Sequence, residues 1–170
     1  MIHLHADTAK ELDVIMEAFG LNGLTIVDID TIGVIEDIAP KKMRVTEKKF
    51  GFCTDMPIHL TLSDGRVMSI NASSFKDVYE GFDITKNPDP SDYEHDSNLD
   101  IAGYCKECLG KKIIGYEITE FGKDMPDDIQ DITPESPKKL IIKLEDSTRM
   151  IFSHWLMAEY MDFLVELPKE

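Results

Sequence analysis

The sequence predicts an α+β protein in which an antiparallel β-sheet is covered by amphipathic helices, built from two tandem copies of a helix-strand-hairpin-helix unit. Three observations predict this fold. Residues 58–73 align without a gap to residues 140–155, at an offset of 82. The apolar stripes that follow these two stretches are in phase with each other. Upstream, residues 8–20 match residues 97–109 at an offset of 89, with similar helix-start signals.

The first element of each copy is predicted to be an amphipathic helix. Thr8 stands three residues before Glu11, as in a capping box, and Ser97 stands three residues before Asp100. Apolar residues then recur at helical spacing in both segments. The two stripes are Leu12, Ile15, Met16 and Phe19 in the first copy, and Ile101, Tyr104, Cys105 and Cys108 in the second.

A strand follows each of these helices, with Ile29 aligned to Ile118. The connecting loop diverges after this strand: it is basic in the first copy and acidic in the second. The aligned stretches 58–73 and 140–155 then predict two β-hairpins. Each consists of two extended runs around a short polar turn, SDGR in one and EDSTR in the other.

A second helix is predicted after each hairpin, because apolar residues recur there at i, i+3, i+4 and i+7. These residues are Phe75, Val78, Tyr79 and Phe82 in the first copy, and Met157, Tyr160, Met161 and Leu164 in the second. The sequence therefore divides into a first unit (1–84), an acidic linker with two prolines (85–96) and a second unit (97–170).

The formal net charge of −15 over 170 residues argues against a nucleic-acid partner and against an anionic membrane surface. Residues 1–86 carry fourteen acidic and nine basic side chains, a net of −5. Residues 87–170 carry nineteen and nine, a net of −10. The charge therefore permits a basic protein partner, and it is concentrated in the second unit.

Cys105 and Cys108 form the only C-x-x-C pair, and they fall on the predicted buried face of their helix. Free cysteine packs as a small apolar residue, so core packing is favoured and no cofactor is expected. Two alternatives stay open. One is a metal site that combines these cysteines with the H-x-H pair His3 and His5; the other is thiol–disulfide chemistry.

No nucleotide-binding, metalloprotease or serine-hydrolase motif is present, so catalysis is not expected. Candidate binding residues are therefore sought where the two copies differ. Trp155 is the only tryptophan and aligns with a serine, and its neighbour His154 aligns with an alanine. Tryptophan is enriched at the centres of binding interfaces. The acidic loop of the second copy adds Asp124, Asp127, Asp128 and Asp131.

These features favour a non-catalytic, acidic protein-binding module. At the level of class, it is similar to the bacterial immunity proteins that neutralise a basic toxin, such as a nuclease, by blocking its active cleft. The alternatives are an adaptor or regulatory protein with another partner, and a metal-binding or enzymatic domain. The N-terminus has no secretory-signal pattern and the three cysteines are an odd number, so a cytoplasmic location is expected.

Overall fold

A computed structural model describes residues 1–31, 48–54, 56–72, 81–89, 100–124, 133–154 and 161–169. Within these ranges lie ten strands and two α-helices. In chain order they are β1 (Ile2–Ala6), α1 (Ala9–Phe19), β2 (Ile26–Thr31), β3 (Lys49–Thr54), β4 (Ile58–Leu62), β5 (Val67–Ala72), β6 (Phe82–Lys86), α2 (Ile101–Tyr104), β7 (Ile113–Glu120), β8 (Pro137–Leu144), β9 (Arg149–His154) and β10 (Met161–Glu166). Short 3-10 helices span Lys106–Cys108 and Gly122–Asp124.

The strands form two antiparallel five-stranded sheets. The first has the order β1-β6-β5-β4-β2, and the second has the order β3-β10-β9-β8-β7. Four strands that are near neighbours in the sequence build most of each sheet. In the second sheet these are β7, β8, β9 and β10. In the first sheet they are β2, β4, β5 and β6, with β3 lying between β2 and β4 in the sequence only. The fifth strand is β1 in the first sheet and β3 in the second, and each pairs with the last strand of its series.

The predicted fold class is wrong in its balance and in its repeat unit. The described structure is mostly strand, and the predicted second-helix residues Phe82, Met161 and Leu164 lie in strands β6 and β10. The other residues of these two stripes lie outside the described part: Phe75, Val78, Tyr79, Met157 and Tyr160. In β10, Met161, Phe163 and Val165 are buried while the residues between them are partly exposed, which is a period of two. The helical spacing of Met161 and Leu164 was a coincidence, since these side chains lie on opposite faces of the sheet.

The two predicted hairpins are confirmed. β4–β5 and β8–β9 pair around turns of the same geometry. The Leu62 N–H donates to the Arg66 carbonyl at 2.9 Å, and the Leu144 N–H donates to the Thr148 carbonyl at 2.9 Å. The third turn residue has a positive φ in both hairpins, at Gly65 and Ser147. Equivalent residues are 82 positions apart throughout, as the gapless alignment predicts.

The first predicted helix is present in both copies, but its length and its cap differ between them. α1 begins after Thr8, whose hydroxyl accepts from the Glu11 N–H at 3.1 Å, so this cap is confirmed. α2 has only four residues, and Asp100 itself is its cap, accepting from the Gly103 N–H at 2.8 Å. Ser97 lies outside the described residues.

The strand after each helix matches at a different offset from the one predicted. Ile26 and Ile113 pair with the equivalent residues Leu62 and Leu144, which makes the offset 87 and not 89. The expected match of Ile29 with Ile118 is therefore two residues out of register.

Helices and sheets share one apolar core. α1 packs between β1 and β7, and α2 packs against β2, so each α-helix lies beside an edge strand of at least one sheet. The α2 residue Tyr104 also reaches β3, where its hydroxyl donates to the Gly51 carbonyl at 3.2 Å. Thr25 and Lys112, which precede β2 and β7, form an isolated β-bridge, and β5 of the first sheet also lies against β9 of the second. Within the described ranges, no helix is long and apolar enough to cross a bilayer.

β3 joins the two halves of the chain. It belongs to the first half of the sequence, and it forms six residue pairs with β10 of the second half. The boundaries 1–84, 85–96 and 97–170 stay a prediction, because most of the predicted linker lies outside the described residues.

We predict that Gly51→Ala lowers the free energy of unfolding by about 2–4 kcal/mol, because a Cβ there would lie 2.0 Å from the Phe163 carbonyl oxygen of β10. Gly115→Ala is the matched control: it is also a strand glycine, but its Cβ would meet only the flexible end of Lys143 at 3.6 Å. The control is expected to change stability by less than about 0.5 kcal/mol. Equal stabilities of the two variants in urea denaturation would contradict the β3–β10 pairing.

Candidate functional site

A groove runs between α1 and the edge strand β7, with a volume of about 490 Å³. Four exposed carboxylates line it, two from each element. They face one ammonium group, that of Lys10, so the groove is strongly acidic. The carboxylates belong to Asp13, Glu17, Glu117 and Glu120.

Tyr116 connects the two walls of this groove. Its hydroxyl lies 2.5 Å from Asp13 Oδ1 and 3.0 Å from Glu17 Oε1, so the β7 side chain is held against α1. Burial raises the pKa of Tyr116, and the two neighbouring carboxylates raise it further. The phenol therefore stays protonated and donates its single proton to one carboxylate at a time, with the shorter contact to Asp13.

A second polar cluster lies at the β1 edge of the first sheet, where β1 pairs with β6. His5 makes two hydrogen bonds with carboxylates: Nδ1 lies 2.7 Å from Asp83 Oδ1, and Nε2 lies 2.5 Å from Asp7 Oδ1. His3 Nδ1 lies 2.9 Å from Thr85 Oγ1. Both histidines were expected on one side of a strand, and the structure confirms this.

This cluster does not have the geometry of a catalytic triad, although a hydroxyl, an imidazole and a carboxylate are close together. His3 Nε2 is 3.5 Å from Asp83 Oδ1, too long for a good hydrogen bond, and Asp83 accepts from His5 instead. His5 engages both ring nitrogens with carboxylates, which leaves neither one available as a general base. The cluster therefore links β1 to β6 by hydrogen bonds between their side chains.

Burial is the largest single influence on His5 and lowers its pKa, but the hydrogen bonds and charges of Asp83 and Asp7 together outweigh it. The pKa of His5 is therefore raised above its usual 6.5. The Asp83 side chain is only 9% exposed, and the His5 ring is its hydrogen-bond partner.

Polar side chains continue from this cluster across the first sheet. A single row of cross-strand neighbours runs from edge to edge: His3, Thr85, Ser69, His59 and Asp30. The equivalent row of the second sheet is mostly apolar: Gly51, Leu164, Ile151, Ile141 and Glu117. Burial lowers the pKa of His59 to about 4, so this histidine is neutral at pH 7.

Sequence reasoning missed this row, although a signal for it was available. The gapless alignment of the hairpins already set His59 against Ile141 and Ser69 against Ile151. Where polar residues of one copy align with β-branched residues of the other, that face of the sheet differs between the two copies. The partners from β1 and β6 could not be found that way, because their strands were not aligned.

Cys105 and Cys108 are fully buried in the core and are free thiols. Burial raises the pKa of Cys108 to about 12 and also raises the pKa of Cys105, so both are protonated at pH 7. The structure does not bring them to His3 and His5. The two cysteines come just after α2, which packs on β2. The histidines lie on β1, at the other edge of the same sheet.

The alternative metal set is therefore not assembled. Among the residues that the structure describes, no group of three histidine, cysteine or carboxylate side chains could hold a metal ion.

The predicted binding residues are only partly described. His154 is 5% exposed and lies in the interior, where its ring contacts those of Phe82 and Phe121 at centroid distances of 6.1 Å. Asp124 ends a 3-10 helix that begins two residues after β7. The other predicted binding residues lie outside the described part: Trp155, Asp127, Asp128 and Asp131.

Comparison of this chain with known protein families, curated proteins and solved structures found no match. Of the two polar sites, the α1–β7 groove is open and has charges available to a partner, whereas the histidine cluster pairs its charges internally.

We predict that Cys105→Ala and Cys108→Ala each lower the free energy of unfolding by about 1–2 kcal/mol, because each removes a fully buried group from the core. The purified protein is expected to carry no stoichiometric zinc. One zinc per chain by elemental analysis, lost when both cysteines are replaced by serine, would refute the packing role.

We predict that the stabilising effect of His5 declines as pH rises. A raised folded-state pKa means that the charged form is favoured by folding, so its contribution is complete below the unfolded pKa of about 6.5 and is lost as pH rises through the folded value. The measurement is the difference in unfolding free energy between the native protein and His5→Gln, from pH 5 to 9. Asp7→Asn is expected to lower the pKa of His5 in an NMR titration. A difference that grows with pH would contradict the assignment.

Proposed function

We propose that this protein is a non-catalytic binding module whose partner is a basic protein, and that the α1–β7 groove is part of the contact surface. The observation that carries the proposal is the arrangement of four exposed carboxylates around an open groove, with one ammonium group among them. Tyr116 orients the Asp13 carboxylate, so this group needs little ordering when a basic side chain binds.

The net charge of −15 supports the proposal independently of the groove. A strongly acidic protein attracts a basic partner over a distance and accelerates their association, while it repels nucleic acids. An inhibitor of a nuclease needs both properties, because it must compete with a polyanionic substrate for the same basic cleft. Our finer proposal is therefore an immunity protein that blocks the active cleft of a basic toxin.

A cytoplasmic location is part of this finer proposal. All three cysteines are free and buried, which suits a reducing compartment. The alternative of an adaptor with another kind of partner makes the same use of the groove. The alternative of a metal-binding or enzymatic domain has less support, because its four proposed ligands lie at two different edges of the first sheet. His3 and His5 lie on β1, whereas Cys105 and Cys108 lie beside β2.

The acidic loop follows β7 in the sequence. β7 ends at Glu120, the 3-10 helix spans Gly122–Asp124, and Asp127, Asp128 and Asp131 come after it in the chain. Together with Trp155 these residues stay predicted contacts. His154 is a poor candidate for a contact with the partner, because its ring packs between two phenylalanines in the interior.

The experiment compares two double variants that remove the same charge. Glu117→Gln with Glu120→Gln neutralises the β7 wall of the groove, and Asp28→Asn with Glu135→Gln neutralises two exposed carboxylates outside it. The first partner to test is the protein encoded directly upstream, if it ends in a basic domain. We expect the groove variant to associate about three- to tenfold more slowly and with a weaker salt dependence, and the control to change much less.

Circular dichroism and a melting curve must show that both variants fold. Equal association rates for the native protein, the groove variant and the control would sink the role of the groove. If the upstream product is not basic, a panel of purified basic ribonuclease and deoxyribonuclease domains replaces it. Binding to none of them would remove the immunity proposal.

A further inference from the structure

The outer edge of β7 presents backbone groups that no described residue pairs with. Leu144 donates its N–H to Thr148, on the β9 side, so alternate residues of β8 also face β9. Those between them, Lys143, Ile141 and Lys139, face β7 and pair with Gly115, Glu117 and Thr119. Tyr116 and Ile118 therefore direct their N–H and C=O groups away from the sheet, toward the groove.

Among the edge strands that the structure describes, β7 is also the longest. It has eight residues, whereas β1 has five and β2 and β3 have six each. The start of β7 is already joined to the first sheet, since the Ile113 N–H donates to the Leu24 carbonyl at 2.7 Å. Beyond that point, an unpaired edge is a template for a further strand.

We propose that the second sheet accepts an extended, basic segment of the partner as a sixth strand along β7. This inference rests on the proposed function, and it adds the form in which the partner is recognised. Addition of a strand to an exposed sheet edge is a recurring mode of peptide recognition, in which main-chain hydrogen bonds supply affinity and side-chain pockets supply specificity.

The charges on both sides of the edge select the occupant. Side chains of an added strand alternate between the two faces of the sheet. On one face they meet α1, where Asp13 and Glu17 surround the Tyr116 hydroxyl; on the other they meet Glu117, beside Lys139 and Lys143 of β8. The favoured segment is therefore basic on the face that meets α1.

The same charges exclude a second copy of this chain as the occupant. Two β7 strands paired with each other would bring Glu117 and Glu120 of one chain close to those of the other. Like charges directly opposite one another destabilise a strand pair. The acidic edge thus disfavours self-association and still leaves the edge open to a strand of opposite charge.

The experiment uses two capped eight-residue peptides of lysine and threonine with identical side chains. One has an ordinary backbone, and the other is N-methylated at its central residues, which removes the N–H donors and keeps the charge. We expect the ordinary peptide to bind the native protein at least about tenfold more tightly. We also expect it to slow amide hydrogen exchange at Tyr116 and Ile118, but not at Glu117 and Thr119, which β8 already protects.

The groove variant and its charge-matched control keep the test specific. Glu117→Gln with Glu120→Gln is expected to weaken binding of the ordinary peptide, and Asp28→Asn with Glu135→Gln is not. Equal affinity for both peptides, with unchanged exchange at Tyr116 and Ile118, would overturn strand addition but leave an acidic groove that binds by charge alone. If neither peptide binds, strand addition is also overturned, and the association kinetics with the basic protein decide the proposed function separately.

Discussion

The pairing of β3 with β10 is the interaction on which the rest of the structure depends. β3 brings Phe50 and Phe52 into the core, and their rings pack edge-on against Tyr104 of α2, at centroid distances of 5.4 and 6.1 Å. Phe52 also contacts Phe163 of β10. Without β3, β10 would become an edge strand and α2, a helix of four residues, would lose its main aromatic contacts. A short helix of this kind is stable only because tertiary packing holds it.

The architecture also explains why the two sheets differ in chemistry. Both bury an apolar face in the shared core, so that face is constrained to be similar in each. The opposite face is also buried at its centre, but its side chains differ between the sheets. In the first sheet it carries the row that includes Ser69 and His59, and in the second sheet the equivalent positions are isoleucines. The internally paired charges of His5, Asp7 and Asp83 belong to the first sheet, whereas the open acidic groove lies beside the second.

The proposed binding surface is a product of the same arrangement. α1 belongs to the first half of the chain and β7 to the second, and Tyr116 bonds to Asp13 across 103 positions of sequence. The acidic groove therefore exists only when both halves are folded against each other. Any partner that binds there recognises the assembled protein and not either half alone.

Local patterns in the sequence determined the two hairpins, helix α1 with its Thr8 cap, strand β1 with its two histidines on one side, and the burial of Cys105 and Cys108. These features depend on turn chemistry, capping and side-chain periodicity within about a dozen residues. Tertiary structure alone decided that β6 and β10 are strands, since their partners on both sides supply hydrogen bonds that no local pattern reveals. It also decided that β3 joins the second sheet and that Asp13 meets Tyr116. Such contacts are chosen by the burial of whole faces and by backbone pairing between distant segments, and a single segment carries no record of which partner will satisfy it.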